Sequence, residues 1–109
     1  MNEQILKYRE MIDALDFAIL RALAKEKKEK NIILNLLKKR MIVVQKLAAH
    51  KKEYGIPPFD LEREAYIFKI RKAYGRKIGL SDEDVKHFFC DVLKYSHKVI
   101  NRIFQKKTI

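Results

Sequence analysis

The chain has little that bends a backbone. Its 109 residues include three glycines and two prolines, so long helices are expected. Cysteine occurs once, as Cys90. A lone cysteine excludes an internal disulfide and any zinc site built on several cysteines. In the run Phe88-Phe-Cys-Asp-Val-Leu93 it reads as a small buried hydrophobe. No apolar run approaches the roughly 18–20 residues that a membrane span needs. The opening Met-Asn-Glu-Gln leads straight into an amphipathic pattern, so no signal peptide is expected. The expected location is cytoplasmic. Acidic residues are scarce: 14 stand against 25 Lys and Arg, a formal charge of +11. Such an excess suits an anionic partner. Much of it is lysine in small groups, at Lys25–Lys30, Lys38–Lys39 and Lys106–Lys107. These read as solvated helix backs, and nucleic acid is not the expected partner.

What is present is a pattern for helices. Hydrophobic residues make up 48% and charged ones 36%, a composition for one folded domain over residues 1–109. Apolar residues recur at helical spacing at Ile5, Tyr8, Ile12, Leu15, Ile19, Ala22 and Leu23, then at Ile33, Leu37, Met41, Val44 and Leu47. With no Gly or Pro between, one helix is predicted from Glu3 to about Lys52. It would be about 75 Å long. So long a stripe needs another long helix to cover it. Lys25-Glu-Lys-Lys-Glu-Lys30 interrupts the stripe. Its helix propensity, with pairs such as Glu26–Lys30, favours an exposed stretch of continuous helix over a hairpin loop. A second helix is expected from Asp60 to Tyr74 or slightly beyond, with Leu61, Ala65, Tyr66, Phe68, Ile70 and Ala73 inward and Gly75 and Gly79 at its end. A third opens at Ser81-Asp-Glu-Asp84 and runs to about Gln105, burying Val85, Phe88, Phe89, Val92, Leu93, Val99, Ile100, Ile103 and Phe104. The predicted fold is all-α with three helices: very long, short, long.

One segment carries chemistry. Arg40 and Lys51 stand eleven positions apart, close to three helical turns, and so share a face. Gly55-Ile-Pro-Pro58 then turns the chain, and Asp60, Arg63 and Glu64 fall in the first turn of the next helix. Fixed cations with interspersed carboxylates beside apolar helix suit a small polyanion. Taken singly, each has a plainer reading. Arg40 could pair at a surface, Asp60 could cap a helix, Arg63 and Glu64 could be solvated, and Ser96 could be a packing residue.

The ordered set resembles the all-helical (AroQ-class) chorismate mutases over essentially the whole chain. The resemblance starts at Tyr8-Arg9-Glu-Met-Ile-Asp-Ala-Leu-Asp16 and continues through Leu36-Leu-Lys-Lys-Arg40 to Lys51. It is strongest at Gly55-Ile-Pro-Pro-Phe-Asp60-Leu-Glu-Arg63-Glu64, and it closes with Phe89–Ser96. It implies an intertwined helical homodimer that converts chorismate to prephenate without cofactor or metal. On that pattern Arg40 grips one carboxylate of the dianionic substrate, and Arg9, donated by the partner subunit, grips another. Lys51 meets the ether oxygen and a carboxylate. Asp60 and Glu64 bind the ring hydroxyl and its surroundings, Arg63 organises the site, and Ser96 lines it.

Two positions depart from the pattern. Ile100 stands one turn after Ser96, where the family carries Gln or Glu as a donor to the ether oxygen. Arg9 and Arg40 are thirty-one positions apart, about two heptads more than in the family, a step that keeps the helix face. Ile100 keeps other readings open. One is a same-fold relative acting on isochorismate or aminodeoxychorismate. Another is a catalytically weakened helical dimer that binds a partner or regulatory ligand.

Overall fold

The computed structural model describes residues 2–25 and 29–106. Among the described residues there are four helices: α1 (Glu3–Leu23), α2 (Lys30–Glu53), α3 (Leu61–Lys77) and α4 (Asp82–Gln105). The all-α expectation is met, with one more helix than expected. The single helix predicted from Glu3 to Lys52 is two helices that pack antiparallel. Tyr8 meets His50 near one end, and Asp16 meets Arg40 midway. The molecule measures 50 × 27 × 22 Å, too short for a 75 Å rod.

The cause of the break is tertiary. Lys25–Lys30 holds no apolar residue. Local propensity permits a helix there, but nothing on it can be buried. Folding back lets the apolar stripes of α1 and α2 cover each other, which stabilises far more than one extra helical turn. Glu26, Lys27 and Lys28, with the expected Glu26–Lys30 pair, lie outside the described residues. A long uncovered helix was one ground for expecting an intertwined dimer; among the described residues α1 and α2 cover each other instead.

The other ends follow local rules. Asn2 caps α1, its side chain accepting from Gln4 N–H at 2.8 Å. Asp60 caps α3 by accepting from Arg63 N–H, and Ser81 caps α4 by accepting from Asp84 N–H. Helix α2 ends in a paired motif in which Ile56 N–H donates to Lys51 O and Gly55 N–H to Lys52 O. Gly55 has φ +66°, which a side chain would strain. Gly79 ends α3 in the same way, but Gly75 lies inside the helix rather than at its end. A Cβ on Gly75 would stand 2.8 Å from Val85 Cγ2, so this glycine lets α3 and α4 approach closely.

The helices form a ring in the order α1, α2, α4, α3, each packed on its two neighbours. Residues 54–60 cross the diagonal between α2 and α3 and cover one end of the bundle. The core has two parts. One joins Ile12, Val43, Val44 and Val99, and the other joins Leu20, Val85, Phe89 and Val92. Burying each such side chain is worth about 1.5–3 kcal/mol. Cys90, expected inside, is half-buried. The inner face of α3 also differs from expectation. Leu61 and Tyr66 are exposed, and Ile67 and the charged Arg71 are buried. No helix among the described residues is long and apolar enough to cross a membrane.

Candidate functional site

A cleft opens at the end of the bundle covered by residues 54–60. Ile12, Val44, Leu47, Ile67 and Leu93 form its apolar walls. All eight residues singled out in the sequence line it: Arg9, Arg40, Lys51, Asp60, Arg63, Glu64, Ser96 and Ile100. Atom-free space in the cleft and its mouth amounts to about 560 Å³.

The arginines of the site are each paired with a carboxylate. Arg40 is 1% exposed. Its Nε donates to Asp16 Oδ1 at 2.7 Å and its Nη1 to Ser96 Oγ at 2.8 Å. Its Nη2 bonds nothing among the described residues. Asp16 is fully buried and shared, its Oδ2 accepting from Arg71 Nη2 at 2.9 Å. Arg71 also donates to Asp13, which accepts from Arg63 Nη2 at 2.7 Å. One buried network therefore joins α1, α2 and α3 behind the cleft. Burial raises the Asp13 carboxyl, but hydrogen bonds from Arg63 and Arg71 outweigh it and hold the group below its usual range.

At the mouth, Arg9 Nη2 donates to Asp60 Oδ2 at 3.0 Å. The Arg63 backbone N–H, followed by Arg9, holds the Asp60 carboxyl below its usual range. Lys51 is 7% exposed, and its Nζ donates to Pro58 O at 3.3 Å. Burial lowers its pKa, and the nearby Arg9 and Arg63 charges lower it further against Asp60 and Glu64. Glu64 accepts from His97 Nε2 at 2.5 Å. Ile100 is half-buried against Ile12 and Val44 and offers no polar atom.

Arg9 of α1 lines the cleft within the single chain, where the resemblance implied an Arg9 from the partner subunit. The turn after α1 is the reason, because it folds that helix onto its own α2. Sequence reading passed over His97, Asp13 and Arg71. A signal existed for His97, which lies three positions before Ile100 and so shares its face of α4. Asp13 and Asp16 are likewise three apart. Arg71 gave no sign, because nothing local marks a buried arginine.

Chemically, this is a dry-walled cleft with two guanidiniums and an ammonium facing inward and carboxylates at its rim. A dianion can take the place of Asp60 on Arg9 and the open edge of Arg40, exchanging one charge-assisted hydrogen bond for another. No curated protein and no solved structure matches the chain. The family described as chorismate mutase type II matches residues 31–101, a stretch that holds every one of the eight residues except Arg9. With a match over well over half its length, the chain belongs to the chorismate mutase type II family.

Proposed function

We propose that this protein catalyses the Claisen rearrangement of chorismate to prephenate, a step of aromatic amino-acid biosynthesis in the cytoplasm. The observation that carries this reading is the convergence of Arg9, Arg40 and Lys51 of one chain on one apolar-walled cleft. The reaction breaks one C–O bond and forms one C–C bond within a single molecule. It needs no nucleophile and no proton relay. It needs the dianion held in its compact conformer, with positive charge where the ether oxygen gains electron density. Arg9 and Arg40 hold the two carboxylates. Lys51, already desolvated, meets the ether oxygen. Asp60 and Glu64 take the ring hydroxyl side, Arg63 holds the rim together, and Ser96 fixes Arg40. On this reading Arg9 is supplied by the same chain as Arg40 and Lys51.

The test follows chorismate loss with product identification by NMR. Conversion to prephenate above the uncatalysed rate is expected, falling by two orders of magnitude or more, roughly, in Arg40→Ala and Lys51→Ala. Absence of any turnover would remove the reading. Ile100 favours a second one, because the wall lacks the family's donor there. On that reading the ligand is isochorismate or aminodeoxychorismate, or the cleft binds a regulatory ligand without turnover. Feeding the three compounds in parallel separates these cases.

A further inference from the structure

We propose that His97 is a positioning residue: its hydrogen bond aims the Glu64 carboxylate at a hydroxyl on the substrate ring and so sets a preference for hydroxylated ligands. This rests on the reading of Glu64 given above.

Helix α4 faces the cleft with Leu93, Ser96, His97 and Ile100. Leu93 and Ile100 cannot hydrogen-bond. The Ser96 hydroxyl is committed, accepting from Arg40 and donating to Val92 O at 2.9 Å. His97 is therefore the residue through which α4 addresses the polar side of the ligand. An ionised carboxylate only accepts, so His97 Nε2 carries the hydrogen that meets Glu64 Oε1. Glu64 Oε2 bonds nothing among the described residues, which leaves it open to accept from a ligand hydroxyl.

The imidazole is held as well. It packs on Phe59 with ring centroids 4.8 Å apart and planes tilted by 57°. Phe59 belongs to the crossing segment, so the bundle cover, α4 and the first turn of α3 meet at one point. A free glutamate has several rotatable bonds and would sample many rotamers. It also lies close enough to Lys51 to act on that charge. Without His97, Glu64 is free to turn toward Lys51, away from the hydroxyl.

The experiment is calorimetry with two bicyclic dicarboxylates, alike except that one carries a ring hydroxyl. Wild type, His97→Phe and His97→Gln are compared. His97 is 41% exposed at its side chain. Phenylalanine keeps the packing on Phe59 and loses the donor, and glutamine restores a donor at similar reach. Wild type is expected to prefer the hydroxylated probe by about ten- to a hundred-fold. His97→Phe should cut that preference to less than about threefold and change binding of the hydroxyl-free probe by no more than about threefold. His97→Gln should recover most of it. Equal loss for both probes in His97→Phe, an unchanged preference, or a wild type with no preference or no binding would each overturn the proposal. Chorismate turnover is measured separately on wild type. Preference without turnover leaves the positioning role standing and removes the enzyme reading.

Discussion

Lys51 carries the clearest electrostatic signature of any single side chain. Burial, with Arg9 and Arg63 nearby, holds its pKa below the usual lysine value of 10.5. The unfolded chain keeps that proton to higher pH. Between the folded value and 10.5 the unfolded state binds more protons, so this group makes stability rise with pH there. Activity moves the other way, because the ether oxygen needs the ammonium. kcat/KM should therefore fall on the alkaline side below pH 10.5, and Lys51→Arg should push that limb upward while lowering the plateau. A pH–rate profile of both proteins checks this. Ile100 is the other residue with a sharp expectation. An ideally placed donor is worth roughly 10²–10³-fold in rate. Ile100 packs on the Ile12–Val44 cluster, so an amide here loses part of that gain and about 1 kcal/mol of stability. Ile100→Gln should raise kcat by roughly tenfold. A slower variant from an already fast wild type would mean that another group serves the ether oxygen.

At the scale of elements, three buried charges stand where apolar contacts would be expected. Asp16 ties α1 to Arg40 of α2 and Arg71 of α3, all three nearly without solvent exposure. Asp16→Asn leaves two guanidiniums buried against a neutral amide and should cost about 3–5 kcal/mol, read from a shift in the urea midpoint at constant slope. Arg40 would lose its orientation at the same time, so binding should weaken even in molecules that stay folded. These elements were unequally legible. The Ser81 cap, the Gln105 end of α4 and the Asp60 start of α3 were readable because caps are written in adjacent residues. The inner face of α3 was not, because its buried side is set by partners more than fifty positions away, Asp13 and Asp16. The turn after Leu23 was hidden by good helix formers, and only packing of α1 on α2 overrides them.

The whole molecule reads as a folded-back version of what its pattern suggested. Every site residue read from the sequence lines the cleft, since three-turn spacing and first-turn positions survive any rearrangement of the helices. What spacing could not reveal is the turn after Leu23 that brings Arg9 to the cleft within one chain. The formal charge of +11 divides along the same lines. Arg9, Arg40, Arg63 and Arg71 are paired with carboxylates and Lys51 with the Pro58 carbonyl, and outward lysines such as Lys38, Lys46, Lys86 and Lys94 are exposed.

Arg9 and Lys51 lining one cleft of one chain also bears on inheritance. Where two subunits share a site, two different broken copies can repair each other. Mixing Arg9→Ala with Lys51→Ala would then leave one intact site in every mixed dimer and return about a quarter of full activity at random pairing. In the single chain both groups line the same cleft, and on the one-chain reading proposed above each copy carries both for itself. The two variants, co-expressed or refolded together, should give no more activity than the sum of the two alone. On that one-chain reading, two differently damaged alleles in one cell would not restore each other.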